Sequence, residues 1–140
     1  MDFDANTHRC TIVIDQQLPS GLAMNTASVI GISFGKLIRN LVGPDQQSQD
    51  GVNYPGVIYA PLPVLLADGN YLRELQQISG ADSEIFAMPF SALAQSCKTY
   101  EEYGERITDA HSGQIELVAI GLIGPKKKIT RLTGNLKLYR

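Results

Sequence analysis

The chain has 140 residues, of which 44% are hydrophobic and 19% are charged, and its formal net charge is −2. These values are ordinary for a soluble globular protein and exclude a disordered or fibrous chain. No apolar stretch reaches the ~18 residues that a membrane span requires. The acidic start Met1–Asp4 lacks the basic and then apolar pattern of a secretory signal. We therefore expect a single cytoplasmic domain over residues 1–140 that does not associate with membranes.

The charges are unevenly distributed along the chain. The first 125 residues contain all 14 acidic residues but only six of the 12 Lys and Arg, which leaves a formal charge of −8. The last fifteen residues carry +6. An acidic body with a basic end can present a local anion-binding face, although a solvated terminal helix explains the same pattern.

The region from Thr11 to Leu41 predicts a buried strand followed by a long helix. Thr11–Ile14 is β-branched throughout, which is typical of a strand that is covered on both faces. Ser20 is expected to cap the helix with its hydroxyl, and Gly21 to accommodate the turn. Apolar residues from Leu22 onwards recur at helical spacings. If this strand is central, Ile12, Val13, Ile14, Val118 and Ile120 should all be buried.

A second pattern in this helix is a row of small residues four apart, namely Ala23, Ala27, Gly31 and Gly35. Glycine inside a helix costs about 1 kcal/mol relative to alanine, so two glycines indicate some compensation. We expect the sheet to approach this row closely. The alternative is that a ligand or a partner helix uses it.

The rest of the chain alternates further predicted strands and helices. Strands are predicted over Gly56–Ala60, Glu84–Met88 and Ile115–Ile120, with Val64–Leu66 as a short extended piece and Asp45–Asn53 as a loop. Helices are predicted between the cap Asp68 or Asn70 and Gly80, over Tyr100–Ala110, and within Lys126–Thr133, with a helical turn within Phe90–Ala94. This alternation predicts an α/β layer structure.

Two stretches resemble the type II peptidyl-tRNA hydrolases. Leu117–Gly121 and Leu132–Leu138 are similar to that family's final strand and its Thr-Gly-x-Leu-Lys-Leu end, and Ile12–Ile14 is similar to its first strand. Within the superfamily, Leu18–Ala23 and Asn25 resemble a branch of small proteins of unknown function, catalogued as DUF2000. The resemblance implies a three-layer α/β/α sandwich with a mixed four-stranded sheet, one strand of which is antiparallel.

The chain departs from those hydrolases at the turn after the first strand. The hydrolases have lysines there that serve the tRNA and the reaction, whereas this chain has Leu22, Ala23 and Met24. Asp109–Ala110 is followed at once by His111–Gln114, which is too short for the family's Asp-Ala-Gly loop. We therefore expect no peptidyl-tRNA hydrolysis, and weak or no binding of nucleic acid.

The leading hypothesis is a protein that binds a small anionic or nucleotide-like ligand. Ligands collect outside the carboxyl ends of strands in open α/β sheets, and helix amino termini offer free N–H groups. The predicted binding residues are Asp15, Ser20, Gly21, Asn25, Gly124 and Lys126. We expect no cofactor and no metal, because one His8–Cys10 pair is too few ligands for a zinc site.

Two alternative functions remain at this point. One is a residual peptidyl-tRNA or aminoacyl-ester hydrolase, for which Asp15 is the one ionisable group near the first turn. The other is an interaction module that forms a homodimer through a face of the first helix. A cation or general base at the first turn would favour the hydrolase.

Overall fold

The computed structural model describes residues 1–140 and shows strands and helices in alternation. The strands are β1 (His8–Asp15), β2 (Gln46–Gln47), β3 (Asn53–Tyr54), β4 (Val64–Ala67), β5 (Phe86–Ser91), β6 (Leu117–Pro125) and β7 (Lys137–Leu138). The helices are α1 (Ser20–Leu37), α2 (Gly69–Gly80), α3 (Ala92–Ser96), α4 (Tyr100–Asp109) and α5 (Lys126–Thr133), with a 3-10 turn at Ser112–Gln114. None of the helices combines the length and the apolar character needed to cross a membrane.

The main sheet has five strands in the order β5-β6-β1-β4-β7, and β2 and β3 form a separate hairpin. β1 is parallel to β4, whereas β6 is antiparallel to both β1 and β5, and β7 is antiparallel to β4. The sheet is therefore mixed, as expected. The expected number of four strands is wrong, because the short β7 adds a fifth strand at the edge.

The predicted strand at Gly56–Ala60 is also absent from the sheet. Ile58 forms only an isolated bridge with Val42, and the N–H of Tyr59 donates to the carbonyl of Leu41 at 2.9 Å. This segment pairs with the chain that follows α1, so the place beside β1 is taken by β4. The short extended piece of the sequence analysis is thus a central strand.

Two other strand boundaries differ from the prediction. β6 continues through Gly121 to Pro125, whereas the predicted strand ends at Ile120. β5 likewise continues past Pro89 to Ser91. β5 is an edge strand, so a residue without an N–H is tolerated on its unpaired side.

Each face of the sheet carries its own hydrophobic core, which makes three layers. Side chains alternate across β1: Ile12 and Ile14 pack towards α1, whereas Val13 packs towards α2 and α5. Ile120 of β6 joins the second core. All five residues predicted to be buried are at most 5% exposed, which confirms that β1 and β6 lie in the centre of the molecule.

The packing face of α1 differs from the prediction. The buried residues of this helix are Ala23, Thr26, Ile30 and Phe34. Outside the helix's own backbone, no atom lies within 4 Å of a Cβ placed on Gly31 or Gly35, whereas Ala23 of the same row is buried in the core. The predicted close approach of the sheet is therefore wrong at the two glycines. The predicted Ser20 cap is also wrong, because the residue before the helix is Pro19 and no side chain caps it.

The helices that follow agree with the sequence analysis. Asp68 caps α2 by accepting the N–H of Tyr71 at 2.8 Å, and α2 ends at Gly80. Thr99 caps α4, accepting the N–H of Glu102 at 3.1 Å. These caps satisfy N–H groups that a helix itself leaves without partners.

Candidate functional site

The residues predicted to bind a ligand lie in separate parts of the structure. Asp15 ends β1 at one end of the sheet, whereas Gly124 pairs with Arg9 near the other end, and Lys126 begins α5 beside it. A strand of eight residues places its two ends roughly 23 Å apart. The structure therefore does not bring Asp15 together with Gly124 and Lys126.

The three predicted residues on α1 also have different environments. The hydroxyl of Ser20 accepts a hydrogen bond from the Tyr139 hydroxyl at 3.3 Å. Gly21 is exposed, and a Cβ placed on it would meet nothing within 4 Å. Asn25 lines a groove between α1 and α4. These residues do not surround a common space.

A polar cavity of about 240 Å³, here named the carboxyl-end cavity, lies where β1 and β4 end. It is lined by Asp15, Gly69, Asn70, Arg73, Gln114, Glu116 and Leu117. The parallel pairing of β1 with β4 brings Asp15 beside Ala67, and α2 begins two residues later. This is the edge at which ligands collect in open α/β sheets, as the sequence analysis expected for Asp15.

Asp15 and Arg73 of the carboxyl-end cavity form hydrogen bonds with backbone groups and no ion pair with each other. Asp15 Oδ1 accepts the N–H of Gln17 at 2.9 Å, and Arg73 Nη2 donates to the carbonyl of Ile115 at 3.1 Å. No ion pair within 4.0 Å joins Arg73 to Asp15 or Glu116. The cavity thus presents both signs of charge, unpaired.

A second cavity of about 330 Å³, here named the amino-end cavity, lies at the start of β1. It is lined by Ala5, His8, Arg9, Ala60, Pro61, Pro63 and Lys126. The antiparallel pairing of β1 with β6 places Arg9 beside Gly124, so α5 begins next to the first residues of β1. Three side chains here are basic and none is acidic.

Hydrogen bonds fix the basic wall of the amino-end cavity. Arg9 Nη1 donates to Thr130 Oγ1 at 2.7 Å, and the N–H of Lys126 donates to the carbonyl of Thr7 at 3.0 Å. His8 Nδ1 accepts the N–H of Asp4 at 3.0 Å. None of the three basic side chains forms an ion pair within 4.0 Å. The charges of Arg9 and Lys126 are therefore available to a ligand, and His8 adds a polar ring.

A third space, of about 560 Å³, is the groove between α1 and the α3–α4 segment. Its walls are largely apolar and include Val29, Met88 and Phe90. Gln95 of α3 connects the two walls by a hydrogen bond, because its Nε2 donates to Thr26 Oγ1 of α1 at 2.8 Å. The groove therefore offers a ligand contact area but few charges.

The structure contains no group of three or more His, Cys, Asp or Glu side chains arranged to hold a metal ion. Both cysteines are free thiols. Cys10 is buried behind the amino-end cavity, and its Sγ donates to the carbonyl of Pro61 at 3.5 Å. Burial raises the pKa of the Cys10 thiol above its usual value of 9.0, so this side chain is a protonated core residue.

Sequence reasoning did not predict His8, Arg9, Asn70, Arg73 and Glu116, which are charged or polar residues of the two cavities, as ligand-binding residues. One signal that could have found them is position: Arg9 and Glu116 each lie next to an apolar run that becomes a central strand. Asn70 and Arg73 lie in the first turns of a capped helix. Polar residues at such boundaries lie at the edges of a sheet, where cavities form.

The fold and these cavities define a three-layer α/β/α protein with a mixed five-stranded sheet and ligand-sized polar cavities at its edges. The chain belongs to the family DUF2000, described as a protein of unknown function, whose family model matches residues 8–140. A solved structure of a protein of unknown function from Agrobacterium tumefaciens strain C58 has the same fold, with a TM-score of 0.78 and 17% identity, covering 96% of this chain and 98% of that chain. No curated protein shows significant similarity.

Proposed function

We propose that this protein binds a small anionic, nucleotide-like ligand in the amino-end cavity. The observation that carries the proposal is the convergence of His8, Arg9 and Lys126 on a cavity that no carboxylate lines. Charge-assisted hydrogen bonds to an anion are stronger than neutral ones, and an anion there has no acidic side chain in the cavity wall to repel it. The basic end of the chain, with Lys126 at its start, thus supplies part of the site.

The opposite wall of this cavity favours a ligand with an apolar part as well as a charge. Ala60, Pro61 and Pro63 line that wall and offer no charged group. The volume of about 330 Å³ lies within the usual range of ~300–1,000 Å³ for small-molecule sites. A nucleoside monophosphate has the corresponding division into an anionic group and a flat apolar body.

The start of α5 adds to the electrostatic preference for an anion. α5 has eight residues, and its first turn contains no acidic side chain. The first N–H groups of a helix lack intrahelical acceptors and carry a partial positive charge. The helix terminus therefore acts in the same direction as the three basic side chains.

The protein is proposed to bind its ligand without hydrolysing peptidyl-tRNA. The first-turn residues Leu22 and Met24 are exposed apolar side chains, where the resembling hydrolases have lysines. The carboxyl-end cavity, which contains Asp15, is lined by two carboxylates that would repel the phosphates of a nucleic acid. In the carboxyl-end cavity the donors Arg73 and Asn70 stand beside those two carboxylates, and at the first turn Leu22 and Met24 supply no polar side-chain donor for an oxyanion.

Calorimetric titration of the purified protein with adenosine monophosphate, inorganic phosphate and adenosine tests the proposal. We expect adenosine monophosphate to bind most tightly and adenosine to give no saturable heat. Changing Lys126 to Gln should weaken binding of the monophosphate by about tenfold. The matched control is Lys127→Gln, which removes the same charge from a neighbouring residue that does not line the cavity.

Two results would overturn the proposal. One is adenosine binding as tightly as the monophosphate, because recognition would then not depend on the anion. The other is equal weakening by the Lys126 and Lys127 substitutions, because the effect would then reflect the general charge of the basic end.

A further inference from the structure

We infer that the carboxyl-end cavity is a separate binding site for a small zwitterion, namely a free α-amino acid with a polar side chain. This cavity contains Asp15, Arg73 and Glu116 and lies at the opposite end of β1 from the amino-end cavity. The inference does not depend on the proposed function, since the two cavities share no lining residue.

Side chains of opposite charge line the carboxyl-end cavity without forming ion pairs with each other. Arg73 is half-buried, and its Nη2 is fixed on the carbonyl of Ile115 at 3.1 Å. Neither Asp15 nor Glu116 lies within 4.0 Å of the guanidinium nitrogens. A half-buried charge normally gains from a partner of opposite sign. A ligand that carries both signs would pair with all three groups at once.

The cavity offers groups for an anion as well as groups for a cation. Arg73 can bind a carboxylate with two donors. The amino terminus of α2 lies beside Asp15, because a Cβ placed on Gly69 would lie 3.6 Å from Asp15 Oδ2. Asn70 adds a carboxamide donor. Asp15 and Glu116 provide acceptors for an ammonium group, and the backbone N–H of Gln17 donates to Asp15 Oδ1.

Ligands that carry only one sign fit this cavity less well. An anion would meet Asp15 and Glu116, and a simple cation would meet Arg73. A like charge in a partly desolvated site costs several kcal/mol of binding free energy, by roughly the magnitude found at interfaces. A zwitterion avoids both repulsions.

The size and lining of the cavity narrow the ligand further. The volume of about 240 Å³ is below the ~300 Å³ at which sites for drug-sized ligands usually begin, so the cavity suits a ligand smaller than a nucleotide. Leu117 is the one hydrophobic residue in the lining, so an apolar side chain would gain little. Gln114 and Asn70 offer amide groups to a polar side chain instead. These features together indicate a free amino acid of small polar type.

Chemical-shift titration of the isotope-labelled protein with the free polar amino acids tests the inference. We expect saturable shifts of the amides around Asp15 and Gly69 with at least one of them. The methyl ester and the N-acetyl derivative of that amino acid should each bind at least about tenfold more weakly, because each lacks one of the two charges. Residues of the amino-end cavity should not shift.

Matched substitutions assign the two charges to their partners. Glu116→Gln, at an exposed residue, should weaken binding of the free amino acid and reduce its preference over the N-acetyl form. Arg73→Lys keeps the positive charge but loses the second donor, and should reduce the preference over the methyl ester. The control is Glu74→Gln, which removes an exposed charge next to Arg73 outside the cavity and should leave affinity unchanged.

The inference is overturned if no free amino acid produces saturable shifts. It is equally overturned if the methyl ester and the N-acetyl derivative bind as tightly as the free amino acid, because the cavity would then recognise neither the carboxylate nor the ammonium group. Loss of adenosine monophosphate binding at the other cavity would not affect it, so the two proposals fail separately.

Discussion

Gly121 of β6 lies directly against two side chains of α1. A Cβ at this position would lie 2.7 Å from Ile30 Cγ2 and 2.9 Å from Phe34 Cε1, and closer still to Phe34 Cζ. Both neighbours are buried side chains that fill the first core. The contact between helix and strand therefore depends on a residue of β6 without a side chain, and not on the glycines of α1.

We expect Gly121→Ala to destabilise the protein by about 1–3 kcal/mol, because the added methyl group overpacks the core. The matched substitution is Gly31→Ala on α1, where nothing lies within 4 Å of the added Cβ. That change should stabilise the protein by about 0.5–1 kcal/mol through helix propensity. Urea unfolding of both variants measures the difference. Equal midpoints for the two variants would contradict this account of the packing.

At the scale of elements, α5 is attached to the rest of the fold by contacts at several points. Arg9 of β1 donates to Thr130, and the Tyr71 hydroxyl of α2 donates to the carbonyl of Leu132. Lys128 Nζ lies 2.8 Å from Asp82 Oδ2 and 2.7 Å from Glu84 Oε1. Since α5 also supplies Lys126, these contacts fix one wall of the amino-end cavity.

The ion pairs of Lys128 make the attachment of α5 sensitive to pH. The hydrogen bond from Lys128 lowers the pKa of Asp82 below its usual 3.8, and the hydrogen bonds to Asp82 and Glu84 raise the pKa of Lys128 above 10.5. The Asp82 contribution to stability is therefore present above the usual carboxyl pKa and is lost as the pH falls through the lowered value. The Lys128 contribution is present below pH 10.5 and is lost as the pH rises through the raised pKa.

We accordingly expect Lys128→Gln to lower the thermal midpoint at neutral pH and to have a diminishing effect as the pH falls below about 4. The control is Lys127→Gln, whose side chain forms no ion pair. Calorimetric melting curves at neutral and acid pH compare the two variants with the wild type. A deficit in the Lys128 variant that is equally large at acid pH would show that the ion pairs do not cause it.

For the whole molecule, the distribution of charge opposes a large contact with nucleic acid. The first 125 residues carry −8, and Lys128 is already engaged by Asp82 and Glu84. Within the lysine run at the start of α5, Lys126 and Lys127 remain unpaired. We therefore expect the basic end of the chain to contact a small anion rather than the length of a tRNA.

We expect the purified protein to hydrolyse peptidyl-tRNA no faster than background, since Leu22 and Met24 stand where the resembling hydrolases have lysines and each missing oxyanion donor commonly costs ~3 kcal/mol. Binding of tRNA should be weak, with a logarithmic salt slope of roughly −2 from two free lysines. A turnover assay beside a binding titration at two salt concentrations measures both quantities. Multiple turnovers per enzyme that Asp15→Asn abolishes would restore the hydrolase interpretation.

The amino-acid sequence by itself determined those features that depend on neighbouring residues. The β-branched run at Thr11–Ile14 predicted a central strand, and Asp68 and Gly80 predicted the limits of α2, because strand burial and helix capping are local properties. The alternation of elements predicted the layered α/β class. The ordinary composition likewise predicted a globular chain with a core of its own.

Only the tertiary structure decided which surfaces meet. From the sequence, either the glycines of α1 or Gly121 of β6 could lie at the contact between helix and sheet. In the structure Ile30 and Phe34 of α1 pack against Gly121, so the contact is at the strand glycine. The cavities depend even more on tertiary structure. Arg73 and Asp15 line one cavity because β1 pairs in parallel with β4, and Lys126 and Arg9 line another because β1 pairs antiparallel with β6. These residues are far apart in the chain, so local sequence patterns cannot predict that they lie close together.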